Sequence, residues 1–166
     1  LDGPGGTDSS LRPNQVFAVS LAADRAGDPA CRADPLLDAD RERTVVDVLS
    51  AELLTPAGLR SLGRHDRRYA PRYGGGPAQR DAIYHQGPVW GWLLGPYLRA
   101  HHRVHGCREA ADRMLEHAEG LLDTGCVGQL SEIYDGEPPH HERGAFAQAW
   151  SVAETLATWT HLRRQG

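Results

Sequence analysis

The chain has 166 residues, 40% of them hydrophobic and 24% charged, with a net charge of −4 and a pI near 6.1. These values are typical of one globular domain, and the acidic balance without a basic stripe argues against a nucleic-acid partner. No apolar run approaches the roughly 20 residues that cross a bilayer, so no membrane partner is expected. Three widely spaced cysteines without a CxxC pair favour a reducing, cytoplasmic location.

Apolar patterning and helix-boundary residues predict five helices separated by long loops. The predicted helices span residues 14–23, 41–54, 88–104, 108–122 and 147–164. Pro13 favours the first helix start, whereas Gly95-Pro96 is expected to kink or break the third helix. The fifth helix is expected to bury Trp150, Ala153, Leu156 and Ala157. Because no clear period-two alternation predicts strands, the expected fold is all-α, without a domain boundary within residues 1–166.

The last long loop, residues 123–145, concentrates acidic side chains. Glu132, Asp135, Glu137 and Glu142 lie within eleven positions, beside tyrosine, histidine and arginine. A loop carboxylate beside aromatic rings can deprotonate a water, although composition alone favours a solvated acidic loop. Glu132 lies between Ser131 and Ile133, which predicts partial burial. Gln148 and Trp150 follow near a helix start, as an amide and an indole in a sugar-binding wall would.

Other candidate motifs are weaker. His101 and His105 have metal-ligand spacing, but no third ligand is evident, so a surface pair is the simpler interpretation. The glycines at 74–76 lack the Lys and Ser or Thr of a phosphate-binding P-loop, and no serine stands in a GxSxG context. For the tryptophans, core packing and ligand stacking are equally reasonable interpretations. Neither a metal nor an organic cofactor is expected.

A polar and aromatic cluster, Tyr84-His85-Gln86-Gly87, immediately precedes the apolar stripe of the third helix. This stretch is part of four ordered motifs: LRPNQVFAVSL (11–21), LLTPAGLRSL (53–62), YHQGPVWGWLLGPYLRA (84–100) and SEIYDG…FAQAWSVAE (131–154). Together they cover nearly the whole chain. In this order they resemble the amylo-α-1,6-glucosidase domain of glycogen-debranching enzymes.

The resemblance implies the C-terminal part of an (α/α)6 toroid, the architecture of six-hairpin glycosidases, whose loops form a glucose pocket. The implied activity is inverting hydrolysis of α-1,6-linked glucosyl branches, with a branched α-glucan as substrate and Glu132 as general base. The residues expected to bind substrate are Arg12, Asn14, Gln15, Tyr84, His85, Gln86, Trp90, Gln148 and Trp150.

The general acid of the family belongs to a motif before RPNQ, so it is expected N-terminal to Leu1, in the remainder of the catalytic domain. The 166-residue chain alone is accordingly expected to be inactive and poorly soluble, with uncovered apolar helix faces. Two alternatives remain open. One is another exo-α-glucosidase of the same architecture, such as a glucoamylase or a trehalase, and the other is a non-catalytic carbohydrate-binding module.

Overall fold

The computed structural model describes residues 2–3, 6–24 and 35–164. Within these ranges the chain forms six α-helices. They are α1 (Phe17–Asp24), α2 (Ala39–Glu52), α3 (Pro77–Ile83), α4 (Leu94–His105), α5 (Arg108–Gly120) and α6 (Ala149–Arg164). Short 3₁₀ turns at Pro13–Val16 and Gly91–Leu93 lead into α1 and α4, and a third at Leu121–Asp123 follows α5.

Short antiparallel strands complete the described fold. A two-stranded hairpin joins β1 (Asp2–Gly3) to β2 (Gly6–Thr7). A five-stranded sheet has the order β3-β4-β5-β6-β7, so each strand pairs with its neighbour in sequence. Its strands are β3 (Leu54–Thr55), β4 (Gly58–Arg60), β5 (Val89–Trp90), β6 (Ile133–Tyr134) and β7 (Glu142–Arg143).

The prediction of an all-α fold, as the C-terminal part of a toroid with about five helices, is wrong. The described residues form six α-helices together with the five-stranded antiparallel sheet. Each strand of that sheet contains only two or three residues. Alternation of buried and exposed side chains needs more positions to become visible in a sequence, so these strands could not be recognised from their pattern.

The five predicted helices correspond to α1, α2, α4, α5 and α6, whereas α3 was not predicted. Asp38 caps α2, because its side chain accepts a hydrogen bond from Arg41 N at 2.9 Å. Helix α3 has Pro77 as its first residue. The Gln79 side chain accepts a hydrogen bond from Gly76 N at 2.8 Å and thereby closes the first turn. With only seven residues, α3 is too short for a periodic apolar stripe.

Helix α4 is the centre of the core and packs against α1, α2, α5 and α6. Every residue from 94 to 100 is buried, as expected for a helix that has neighbours on all sides. Residues 88–90, predicted as the start of this helix, instead form the end of a loop and strand β5. Gly95 and Pro96 therefore fall in the first turn of α4, where proline costs no helical hydrogen bond, and no break is needed.

The predicted orientation of α6 is wrong. Trp150 and Leu156 are 49% and 60% exposed, and Ala153 and Ala157 are also exposed, whereas Ser151, Thr158 and Leu162 are buried. Polar pairing with α4 decides this orientation: the buried Arg99 donates to Glu154 at 3.0 Å and to Thr158 Oγ1 at 2.5 Å. A buried guanidinium needs such partners, which outweighs the burial of an apolar stripe.

Cys31 and most of the predicted loop at residues 24–40 lie outside the described residues. Cys107 and Cys126 lie inside them and are free thiols. Among the described residues, no helix is both long and apolar enough to span a membrane.

Candidate active site

The pairing of β5 with β6 brings two distant loops together. Val89 pairs with Tyr134 and Trp90 with Ile133 in antiparallel register, so Glu132, which precedes β6, lies beside Gly91, which follows β5. A backbone hydrogen bond from Gly91 N to Glu132 O, at 3.3 Å, extends this pairing by one residue. The Tyr84 side chain, which contacts the Trp90 ring, donates to Glu132, so the predicted general base lies next to the aromatic cluster that precedes the third predicted helix.

The carboxylate of Glu132 is half-buried and held by two donors. Tyr84 Oη donates to Glu132 Oε1 at 2.6 Å, and Ala145 N donates to Oε2 at 2.9 Å. A second backbone bond, from Glu132 N to Ala145 O at 2.9 Å, holds the same two residues together. Each carboxylate oxygen accepts one of these bonds and retains a lone pair for a water molecule. The arrangement therefore suits a carboxylate that accepts a proton from a bound water.

The residue before Ala145 makes the close approach to Glu132 possible. Gly144 has a φ of 67°, in the left-handed region that favours glycine. A Cβ atom at this position would lie 2.6 Å from Glu132 Oε2 and 3.2 Å from Glu132 Cβ. Any larger residue would therefore collide with the carboxylate that its neighbour binds.

Aromatic rings surround Tyr84. Trp90 and His85 meet the ring of Tyr84 edge-on at centroid distances of 4.8 and 4.9 Å, and Tyr73 is tilted against it at 5.6 Å. His85 in turn stacks on Trp90 at 5.2 Å, and Trp90 Nε1 donates to Tyr84 O at 3.3 Å. Burial and the hydrogen bond to Glu132 raise the pKa of Tyr84, so the phenol stays protonated and acts as a donor.

Arg12 holds the turn that contains this cluster. Its guanidinium donates to Ser61 O at 2.9 Å, to His85 O, to Gln86 Oε1 at 3.1 Å and to Ser10 Oγ at 3.3 Å. Within the described residues, four of the five guanidinium N–H groups are thus engaged. Burial lowers the pKa of Arg12. Partial desolvation of the His85 ring, followed by the charge of Arg12, lowers the pKa of His85.

The remaining predicted substrate residues are distributed around this centre. Gln15 Nε2 donates to Arg12 O at 3.2 Å, while Asn14, in the same 3₁₀ turn, is exposed. Gln148 is half-buried and joins the loop of Glu132 through a bond from its backbone N to Leu130 O at 2.9 Å. Trp150 stacks on Trp92 instead of joining the Tyr84 cluster, with ring centroids 3.9 Å apart.

Comparison with known proteins agrees with the four sequence motifs. The profile of the amylo-alpha-1,6-glucosidase family matches residues 2–157. The chain belongs to this family. A glycogen debranching enzyme of Saccharomyces cerevisiae is 27% identical to the chain over 170 aligned residues, which cover 88% of the chain and 10% of the yeast protein. The chain thus spans about a tenth of the length of this relative.

Sequence reasoning missed two residues that hold the hairpin directly after Glu132. Asp135 is 5% exposed and forms a two-bond ion pair with Arg143, with N–O distances of 2.8 and 3.1 Å. Asp135 Oδ1 also accepts from Tyr73 N at 3.0 Å. This pair therefore connects the β6–β7 hairpin, which carries Glu132, to the loop whose Tyr73 ring contacts Tyr84. The only sequence signal was the eight-residue spacing of two opposite charges, which is too common to be specific.

The His101 and His105 rings have centroids 4.7 Å apart and lie on α4, outside the segments that carry Tyr84 and Glu132. His105 Nε2 pairs with Asp47 Oδ1 at 3.0 Å. In the part of the chain that the structure describes, no group of three or more histidine, cysteine or acidic side chains is arranged to hold a metal ion.

Proposed function

We propose that this chain carries the general-base part of a glycoside hydrolase that removes α-1,6-linked glucosyl branches from a branched α-glucan. One observation carries the proposal: the carboxylate of Glu132 is fixed by Tyr84 and Ala145 beside the His85–Trp90 pair. Membership in the amylo-alpha-1,6-glucosidase family supports this reaction class. The matched yeast protein is named a glycogen debranching enzyme, which supports a branched glucan as the substrate.

The proposed reaction inverts the configuration at the anomeric carbon. Glu132 accepts a proton from a water molecule, whose oxygen bonds to the anomeric carbon as the bond to the branch oxygen breaks. A general acid gives a proton to that leaving oxygen, and the two carboxyl groups of such a pair are about 6.5–9.5 Å apart. We propose that the acid belongs to a segment N-terminal to Leu1, in the remainder of the catalytic domain. The chain by itself is then expected to be inactive.

The proposed glucose pocket combines hydrogen-bonding groups with aromatic surface. Sugar hydroxyls are selected by fixed donors and acceptors, while the C–H faces of a pyranose ring pack against aromatic rings. The exposed His85 and the Gln86 amide group, whose oxygen is held by Arg12, are positioned to act as fixed polar groups. Trp90 and Trp150 would supply the aromatic surface. Asn14, Gln15 and Gln148 complete the proposed set.

Replacement of the proposed base in the native full-length protein tests this function. In Glu132→Gln the shape is retained but the proton acceptor is lost, so turnover of an oligosaccharide with one α-1,6-linked glucosyl branch should fall at least 100-fold, within the range of general-base catalysis. Binding of the same oligosaccharide should persist. Glu142→Gln is the matched control, because Glu142 lies on the same hairpin but accepts a hydrogen bond from Thr124 Oγ1 at 2.5 Å.

Three outcomes would contradict the proposal. Unchanged turnover in Glu132→Gln would exclude the base assignment. If the unmodified protein hydrolysed maltose or trehalose faster than the branched oligosaccharide, the proposed substrate would be wrong and a small α-glucoside would take its place. Binding without hydrolysis by the full-length protein would identify a carbohydrate-binding module instead.

A further inference from the structure

Tyr84 was predicted to bind substrate, yet its hydroxyl is directed at the proposed base. We infer that Tyr84 is a positioning residue, which acts on the reaction through Glu132 and not through a sugar hydroxyl. This inference rests on the proposed function, because it concerns how the base is held. It assigns the hydroxyl of Tyr84 a role in turnover and none in substrate affinity.

The hydrogen bond itself supports this role. A phenol has one proton to donate, and that of Tyr84 lies 2.6 Å from Glu132 Oε1, within the short range of charge-assisted O–H···O⁻ bonds. Tyr84 is half-buried, and the pKa of its phenol is raised by burial and by Glu132, so the proton remains on Tyr84. A sugar hydroxyl that accepted this proton would have to break the bond to the carboxylate.

The surroundings of Tyr84 fix the direction of that bond. Three rings contact the Tyr84 ring, with centroids 4.8 Å away for Trp90, 4.9 Å for His85 and 5.6 Å for Tyr73. The bond from Trp90 Nε1 to Tyr84 O, at 3.3 Å, fixes the backbone as well. A side chain packed in this way can orient its partner, since its own rotation is blocked.

The backbone N–H of Ala145 is the second donor that holds the Glu132 carboxylate. Tyr84 fixes Oε1 and Ala145 N fixes Oε2 at 2.9 Å, so the two bonds together determine the plane of the carboxylate. Without the Tyr84 hydroxyl, Oε1 loses its donor among the described residues, and the carboxylate can rotate about its bond to the side chain. A general base whose acceptor lone pair has turned away from the water slows the chemical step without changing the contacts to the sugar.

Kinetics of four variants in the native full-length protein, with the branched oligosaccharide as substrate, test the inference. Tyr84→Phe should lower kcat by about 10- to 100-fold, the effect of losing a hydrogen bond to a charged group, and leave KM within about twofold. Tyr69→Phe is the matched control, because it removes another phenol-to-carboxylate hydrogen bond, from Tyr69 Oη to Glu137 Oε1 at 2.8 Å, and it should change neither constant more than about twofold. Tyr84→Phe combined with Glu132→Gln should be no slower than Glu132→Gln alone.

Each result decides between the inference and the proposed function. If Glu132→Gln lowers turnover as expected and Tyr84→Phe raises KM alone, or adds its full loss to that of Glu132→Gln, the function stands and the positioning role is overturned. If Glu132→Gln leaves turnover unchanged, both fall, since Tyr84 cannot act through an unused group.

If circular dichroism shows that Tyr84→Phe does not fold, a protein with 3-fluorotyrosine at position 84 is used in place of that variant. This residue keeps the ring and the hydroxyl but changes the strength of the donor. A change in kcat at constant KM supports the inference, and a change in KM alone, or in neither constant, overturns it.

Discussion

Gly144→Ala is the substitution that most directly tests the geometry around Glu132. Gly144 has a φ of 67°, and an added Cβ would lie 2.6 Å from Glu132 Oε2 and 3.3 Å from Glu132 Cδ. Because Ala145 N donates to the same oxygen at 2.9 Å, the carboxylate cannot move away from the new methyl group and keep that bond. The substitution is therefore expected to displace the carboxylate as well as to strain the backbone.

Two costs add in this variant. Placing an alanine in the left-handed region costs about 1–2 kcal/mol. Loss of the hydrogen bond from Ala145 N to a charged group costs a further 1.5–3 kcal/mol or so. The expected decrease in the free energy of unfolding is thus about 2.5–5 kcal/mol. Turnover should also fall, because the carboxylate leaves its fixed orientation.

Gly106→Ala provides the matched control. Gly106 has a φ of 63°, and a Cβ added there meets no atom within 4 Å, so only the backbone cost of about 1–2 kcal/mol should appear. Urea denaturation of both variants measures the difference in the free energy of unfolding. Kinetics of the native full-length protein with the branched oligosaccharide measure turnover. Equal stability of the two variants, together with unchanged turnover in Gly144→Ala, would refute the predicted contact with Glu132.

Three further predictions concern stability. Asp135→Ala leaves Arg143 without its partner and should lower the free energy of unfolding by about 2–4 kcal/mol in urea denaturation; a loss below 1 kcal/mol would contradict a supporting role. Gly95→Ala should lower the free energy of unfolding by about 1–3 kcal/mol, because its Cβ would lie 2.9 Å from two atoms of α6. The control Gly120→Ala places its Cβ in open space and should be neutral or slightly stabilising. The same effect in both variants would exclude close packing of α4 on α6. Partial burial, and then the charge of Arg12, lower the pKa of His85 below 6.5. The contribution of His85 to stability is therefore complete above pH 6.5 and declines as the pH falls below 6.5. An NMR titration midpoint of His85 at or above 6.5 would contradict this prediction.

The sequence predicted the helices better than the sheet, for a physical reason. Helices of twelve or more residues display several turns of apolar spacing, and α2, α4, α5 and α6 were all found by it. Two-residue strands display no pattern, and the seven-residue α3 displays little. The orientation of α6 was predicted from its apolar residues alone. It depends instead on the Arg99–Glu154 pair, whose members are 55 residues apart.

The family motifs predicted the residues of the candidate site but not the contacts between them. The motifs of the family singled out Glu132 and the Tyr84–Gln86 cluster, and the structure places Glu132 and Tyr84 in hydrogen-bond contact. No sequence pattern indicated that Tyr84 donates to Glu132, or that Arg12 donates to His85 O and Gln86 Oε1 on the turn beside it. Such pairings depend on strand register, which a sequence with two-residue strands does not reveal.

The register between β5 and β6 also determines when, during folding, the proposed base can meet Tyr84. Tyr84 and Glu132 are separated by 48 positions, and the rungs Val89–Tyr134 and Trp90–Ile133 are what close that loop. Helices form from local contacts and on fast timescales, while long-range strand pairing must first overcome the entropy of loop closure. The helical core can therefore assemble before Glu132 is oriented. In the native full-length protein, recovery of turnover after refolding would then lag behind recovery of the helical circular dichroism signal.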